Sequence, residues 1–389
     1  HYLVDYIIKQ TIVPYMKSHD QFKVLDPACG SGIFLVECYR QLIESKLCHD
    51  NSVADEILVD TLKENIYGID LNESAIDITI FSLYLTMLDY KDPKTLVKFK
   101  LPDLKNRNLV HANFLTDDQL VFLKNISFDF ILGNPPWGRE SDNEHKRFCE
   151  NNEFLEIAEI SKSFVYKVKD YCQANTQCCF VLPSKLLYNK KNKSKQFREF
   201  MLVNTEIQKI VELSSVVDLV FKNAKAPAII VVFKYNSKNN LSNVFTHISL
   251  KPSIFFKLFN IMVIEKNDIK SVKQDLLLEN DWAWKTLVYG TSWDFEIIKK
   301  IKDSFDTISE IVGKYPSIYY GTGIQDGEGK DDTSKLPVNR VFNSEGNFDH
   351  FYINLSPRNF TEIKNKKIHR TRTPELNLPP YCLVLKGID

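Results

Sequence analysis

The chain has 389 residues, 50 basic and 50 acidic side chains, 44% hydrophobic and 26% charged residues. That is globular composition, longer than one core usually carries, and it excludes collagen-like, coiled-coil and disordered classes. The longest apolar runs, Phe180–Pro183 and Ala226–Phe233, fall far short of the ~18 uncharged residues of a spanning helix, so the expectation is a soluble protein of two or three domains with no membrane partner.

The neutral total hides an asymmetry. Residues 1–150 hold 16 basic and 23 acidic side chains, and residues 151–389 hold 34 and 27. One positive group, Lys185, Lys190, Lys191, Lys193, Lys195 and Arg198, contains no acid, and a second is Lys364, Lys366, Lys367, Arg370 and Arg372. Such groups can grip phosphates, although a charge run alone also fits a solvated loop. Eight cysteines form no CxxC pair and no histidine stands at zinc-ligand spacing, which points to a reducing, cytoplasmic setting without a structural metal. Residue 1 is His, no signal peptide follows, and residue 389 falls just after the strand-like run 381–385, so both ends read as cut.

In chain order, residues 2–18 have helical apolar spacing, and 22–25 is a short buried strand ending at Asp26. The glycine turn Asp26-Pro27-Ala28-Cys29-Gly30-Ser31-Gly32 leads at once into a helix from Ile33, the opening of an α/β sheet. A long helical stretch over 37–66, a strand at 66–70 and a helix at 73–89 repeat the beat. Strands follow at 109–114 and 128–132, the latter running into Gly133-Asn134-Pro135-Pro136-Trp137. A helix over 154–173, a strand at 178–182 and strands at 208–213 and 228–234 complete the series. The expected organisation is one doubly wound, mostly parallel domain over 1–235, a mixed connector with a helix at 292–304 over 236–310, and a second, β-rich domain beginning at 311.

The glycine loop is not a P-loop, because neither Gly30 nor Gly32 is followed by GK[ST], and the dinucleotide fingerprint would need glycine where Leu35 stands. A ligand without phosphates fits better. Asp26 can accept from an ammonium, and Asp70, ending the next strand, can accept from two ribose hydroxyls. S-adenosylmethionine has both groups and no phosphate. Asn134-Pro135-Pro136-Trp137 adds the substrate side: two prolines stiffen the loop, and the Asn134 side chain and the Pro135 carbonyl are two acceptors for one exocyclic NH2. Bonding both protons draws the nitrogen lone pair out of conjugation and toward a methyl donor. Trp137 offers a face on which a flipped base can stack. The loop holds no cysteine, which argues against covalent methylation of cytosine C5.

Together Asp26–Gly32, Gly68-Ile69-Asp70 and Asn134–Trp137 resemble an N6-adenine DNA methyltransferase in which the cofactor motif precedes the catalytic one. The resemblance is to the methylase portions of restriction–modification enzymes, including those that fuse nuclease, methylase and target recognition. It extends through Val181–Lys185, Phe197-Arg198 and Phe221–Ala224, covers 1–235 with specific motifs, and covers 311–389 loosely. It implies a class I S-adenosylmethionine-dependent methyltransferase fold, Rossmann-like. Catalysis would fall to Asn134, Pro135, Pro136 and Trp137. The methionine side of the cofactor would meet Asp26, Ala28, Gly30 and Gly32, its ribose Asp70, and its adenine Leu71, Asn113 and Phe114. Asn113 stands where the family usually has Asp, and the family's Thr-Pro pair at the cofactor's edge would precede His1. The implied partners are double-stranded DNA and a restriction nuclease outside this chain. DNA would meet Lys185, Lys190, Lys191 and Arg198 at the cleft, with Tyr188 a second wall for the base, and Lys366, Lys367, Arg370 and Arg372 in a target recognition domain over 311–389.

Other readings share parts of this pattern. A protein glutamine methyltransferase meets the same lone-pair problem, but ends soon after its sheet, whereas this chain continues for roughly 150 residues. RNA adenine methylation uses the same chemistry. A non-catalytic DNA-binding subunit could retain the sheet, though intact Asn134, Pro135 and Trp137 speak against decay.

Overall fold

A computed structural model of the protein describes residues 2–47, 53–91, 99–116, 118–138, 143–152, 154–216, 226–235, 241–259, 261, 263–321, 324, 329, 331–336, 340–342, 348–349, 352–364, 367–371 and 374–377. The chain divides into two compact units, His1–Phe295 and Glu296–Asp389.

The first unit is built on a nine-stranded sheet: β1 (Val24–Asp26), β2 (Ile66–Asp70), β3 (Leu109–His111), β4 (Phe130–Gly133), β5 (Gln177–Pro183), β6 (Thr205–Glu212), β7 (Ala228–Tyr235), β8 (Val244–Ser249) and β9 (Ile269–Lys273). Their spatial order is β3-β2-β1-β4-β5-β7-β6-β8-β9. Strands β1 to β5 pair in parallel, β7 lies antiparallel between β5 and β6, and β9 is antiparallel to β8. The strand order reverses between β1 and β4. Ligands of open α/β sheets sit beyond the carboxyl ends of the strands at such a reversal, so Asp26 and Gly133 flank the place to look.

Period-two alternation sends successive residues to opposite faces, and both faces are buried. Leu25, Ile131, Cys178, Phe180 and Leu182 join one core, while Val24, Phe130, Leu132, Cys179 and Val181 join the other. The second core is covered by α1 (Tyr2–Gln10), α2 (Ile12–Met16), α3 (Ile33–Glu44), α4 (Asp55–Asn65) and α5 (Glu73–Leu88). The first is covered by α6 (Asn143–Glu150), α7 (Ile160–Lys167), α8 (Lys185–Tyr188) and α9 (Asn192–Asn204), with the later helices Gln274–Glu279 and Ala283–Tyr289.

Three expectations are revised. The sheet does not end at 235, because β8 pairs in parallel with β6 and β9 extends it further, so much of the expected connector belongs to the first unit. The single helical stretch over 37–66 is two helices, α3 and α4. The helix expected over 154–173 starts only at Ile160, because the preceding segment turns so that Glu156 and Glu159 reach the ammonium of Lys162.

In the second unit the described strands are short antiparallel pairs: Asp331–Asp332 with Lys367–Ile368, Arg340–Phe342 with Phe360–Glu362, and Phe348–Asp349 with Tyr352–Ile353. The helix Ile308–Lys314 opens on a capping box in which Thr307 and Glu310 satisfy each other's backbone N–H. The strand-like run at 381–385 and the motif at 221–224 lie outside the described residues.

Candidate active site

The glycine loop is fastened to β2 and α5 before any ligand is considered. The N–H of Cys29 donates to the Ile69 carbonyl at 2.9 Å, and Gly30 N–H donates to Asp70 Oδ2 at 2.8 Å. Thr79 Oγ1 donates to the Gly30 carbonyl at 2.9 Å. Asp70 Oδ1 accepts from Asn72 N–H at 2.8 Å, so each of its oxygens keeps lone-pair capacity beyond a backbone contact. Gly32 caps α3 in the left-handed region at φ 79°, and a Cβ there would lie 2.6 Å from Thr79 Cγ2, so glycine is required twice over.

Asp26 lies beneath this loop. Its carboxylate is buried and accepts from Ala28 N–H at 3.0 Å. Burial pushes its pKa up to about 7, with the Asp70 charge acting in the same direction and the Ala28 hydrogen bond opposing it. Gly133 leaves just enough room: a Cβ at that position would stand 2.4 Å from Asp26 Oδ1. The carboxylate therefore sits at the strand reversal, against the residue that precedes Asn134.

A cavity of about 320 Å³ opens beyond these strand ends, lined by Pro27, Ala28, Asp70, Leu71, Asn113 and Phe114 on one side and Asn134 and Pro136 on the other. Residues separated by over 100 positions in the chain thus meet in one concave site. Asn113 is held at both ends of its amide: Nδ2 donates to Glu144 Oε2 at 2.7 Å and Oδ1 accepts from Leu115 N–H at 3.0 Å. Asp26, Gly30 and Gly32 shape the loop without lining the cavity, and Pro135 is buried behind it. Trp137 is half-buried beside the second core, with Nε1 donating to the Val181 carbonyl at 3.3 Å, and is not among the lining residues. The sequence reading missed Ala112, Leu115, His145, Ile160 and Phe164, which complete the wall. Leu115 could have been found by extending the Asn113-Phe114 pair; His145 carried no signal, because only the packing of α6 on α7, through Ser163 Oγ at 2.9 Å, brings it there.

The basic residues separate into two kinds. Lys190 and Lys191 are exposed, and Lys185 is half-exposed with Nζ 3.5 Å from Glu159. Arg198 corrects the expectation of a DNA contact. Its side chain is 3% exposed, makes two 2.6 Å contacts with the Asp281 carboxylate, and also donates to the Leu186 and Asn189 carbonyls, so its planar fork is spent inside the fold. Arg198→Ala should lower stability by about 3 kcal/mol in urea unfolding, because it strands a carboxylate and two carbonyls. In the second unit Lys364, Lys367 and Arg370 are exposed, while Lys366 and Arg372 lie outside the described residues.

Tyr188 donates its hydroxyl to Glu212, whose buried carboxylate also accepts from Ser214. Burial raises Glu212 to about 7 despite those hydrogen bonds. The folded state therefore holds this proton more tightly than the unfolded chain. The stability so gained is full below the unfolded value of 4.5 and is lost as pH rises through about 7. Glu212→Gln, which cannot ionise, should raise stability at pH 8 by on the order of 2 kcal/mol and flatten its fall between pH 5 and 8, as read by thermal melting; Asp26, shifted the same way, leaves a residual slope.

Residues 64–218, which include β2, the Asn113 loop, Asn134–Trp137 and β5, match the family model of the Eco57I restriction-modification methylase. This segment is thus similar to Eco57I-type methylase domains. The chain is 27% identical over 286 residues to the type II restriction enzyme and methyltransferase RM.Eco57I of Escherichia coli, covering 62% of this chain and 28% of that protein. It is 24% identical over 317 residues to the type II methyltransferase M.BstVI of Geobacillus stearothermophilus, covering 80% of this chain and 55% of that one. The chain thus spans about a quarter to about half the length of these two relatives. Among solved structures, one from a type I restriction–modification system superposes with a TM-score of 0.51 at 12% identity, covering 81% of this chain and 64% of that one, a likeness of fold. What the chain shares with that structure is the mixed α/β fold, here a nine-stranded sheet with helices on both faces. Among the described residues no helix is long and apolar enough to cross a membrane.

Proposed function

We propose that the chain is a site-specific DNA methyltransferase that moves a methyl group from S-adenosylmethionine to N6 of an adenine flipped out of duplex DNA, within a restriction–modification or related anti-phage system. The observation that carries this reading is the shared cavity. Asp70 and Leu71 line it together with Asn134, so a cofactor held by the first pair and a base held by the Asn134 loop would meet.

The lining residues suit this cofactor. Among the described residues the lining holds no lysine or arginine to answer a phosphate, whereas Asp70 lines the cavity and Asp26 lies just below it, as a cationic ligand with a ribose requires. A volume of about 320 Å³ is within the range of small-molecule sites. When bound, S-adenosylmethionine supplies the electrophilic methyl. The chain's own part is to orient: Asp70 accepts from the ribose hydroxyls, Leu71, Asn113 and Phe114 enclose the adenine, and Asp26 opposes the positive charge from below. Asn134 and the Pro135 carbonyl accept both amino protons of the target base, and Trp137, with Tyr188 a candidate second wall, stacks on it.

DNA is the preferred substrate because RM.Eco57I is named as a restriction enzyme and methyltransferase and because the second unit carries exposed Lys364, Lys367 and Arg370. Residues 311–389 would begin a target recognition domain. The RM.Eco57I name joins a restriction enzyme to a methyltransferase, which makes a fused or associated nuclease the expected partner.

Cofactor binding tests the first half. Removing Asp70 entirely would also release the Gly30 N–H, so Asp70→Asn is the cleaner variant. Calorimetry with S-adenosylmethionine should show binding to the wild type and a loss of ~1.5–3 kcal/mol in the variant, the scale of hydrogen bonds to a charged group. Equal affinities would move the cofactor away from β2.

A further inference from the structure

Lys162, on α7, is wholly buried, and lysine is almost never so unless paired. Its Nζ donates to Glu156 Oε2 at 2.6 Å and to Ser194 Oγ at 2.8 Å, and it also meets Glu159 Oε2. Two carboxylates sharing one ammonium leave an excess negative charge. The second cation is Lys185, whose Nζ lies 3.5 Å from Glu159 Oε1, and Asn189 Nδ2 reaches the same oxygen at 3.4 Å. Glu159, 5% exposed, thus gives one oxygen to the interior and the other to the start of the basic segment.

The same residue borders the candidate catalytic loop. The next backbone N–H, that of Ile160, donates to the carbonyl of Gly138 at 3.1 Å, and Gly138 directly follows Trp137. The Ile160 side chain lines the cavity. The Glu159-Ile160 pair therefore joins the two: the Ile160 N–H holds the exit of the Asn134–Gly138 loop, and the Glu159 carboxylate holds Lys185 and Asn189.

We infer that Glu159 is a positioning residue for the DNA substrate: it holds the Lys185 ammonium and the Asn189 amide beside the Asn134–Trp137 loop, while Lys162 and Glu156 fix Glu159 from within. The inference rests on the functional reading above. Its physical sense is preorganisation. A free lysine has four rotatable bonds to order when it meets a phosphate, and a carboxylate anchored in the core removes part of that cost in advance.

The test is steady-state methyl transfer from S-adenosylmethionine to duplex DNA by wild type, Glu159→Gln, Lys185→Met and the double variant. Each single change should raise the KM for DNA about tenfold, the scale of losing one charge-assisted contact. The double variant should be no worse than either, since both remove one arrangement, and cofactor affinity should stay within about twofold of wild type. Additive effects on KM, or a Glu159→Gln loss in cofactor affinity as large as that in KM, would overturn the assignment. Should Glu159→Gln not fold, Lys185→Met alone decides, because an unchanged KM removes Lys185 from the substrate side. A wild type that binds cofactor but methylates no DNA would instead sink the functional reading beneath it.

Discussion

Asn134→Ala should abolish methyl transfer while leaving cofactor affinity within about twofold. The side chain lines the cavity opposite Leu71 and Asn113, on the loop after β4, whereas the cofactor contacts proposed here come from β1, β2 and β3. Its carbonyl acceptor, paired with that of Pro135, acts only when the target amino group becomes a nucleophile, so the loss falls on the transition state and not on the bound donor. Removing one preorganised polar group from an active site costs roughly 10²–10³-fold in rate, and here it also removes the feature that sets the lone pair free. Single-turnover transfer and calorimetry on the same preparation separate the two effects. A variant that transfers near the wild-type rate would mean that Asn134 belongs to a rigid turn and nothing more.

Gly133→Ala should damage both stability and cofactor binding. The added methyl would stand 2.4 Å from Asp26 Oδ1 and 2.9 Å from its Cγ, and Asp26 cannot retreat, being fully buried with its oxygen held by Ala28 N–H. Either β4 or the glycine loop must shift, at the ~1–3 kcal/mol typical of overpacking. Gly30→Ala is the control, because nothing lies within 4 Å of a Cβ there and only the left-handed backbone, φ 57°, is penalised. Urea unfolding gives the stability difference and calorimetry the binding. If Gly133→Ala binds cofactor as the wild type does, Asp26 and the β1–β4 reversal have no part in the site.

Much of the first unit was legible because its signals are local. Asp26–Gly32 announces a strand, a tight turn and a helix, and the left-handed φ of Gly30 and Gly32 is what two glycines in that place imply. Asn134-Pro135-Pro136-Trp137 is stiff by covalent structure, so its loop needed no tertiary information. What was not legible depends on partners distant in sequence. Arg198 reads as the end of a basic run, and only the fold reveals Asp281 opposite it, 83 residues away. The strands Val244–Ser249 and Ile269–Lys273 lie in a stretch whose composition reads as connector, because an edge extension is specified by pairing to β6 and not by its own alternation. His145 reaches the cavity wall through packing alone.

Methyl transfer to DNA is tested most directly by incubating the protein with S-adenosylmethionine carrying a labelled methyl group and mixed-sequence duplex DNA, followed by digestion to nucleosides and separation. Transfer to N6 of adenine predicts label in N6-methyladenine, absent with Asn134→Ala. Label in methylcytosine, or label only in RNA or protein supplied alongside the DNA, would contradict it.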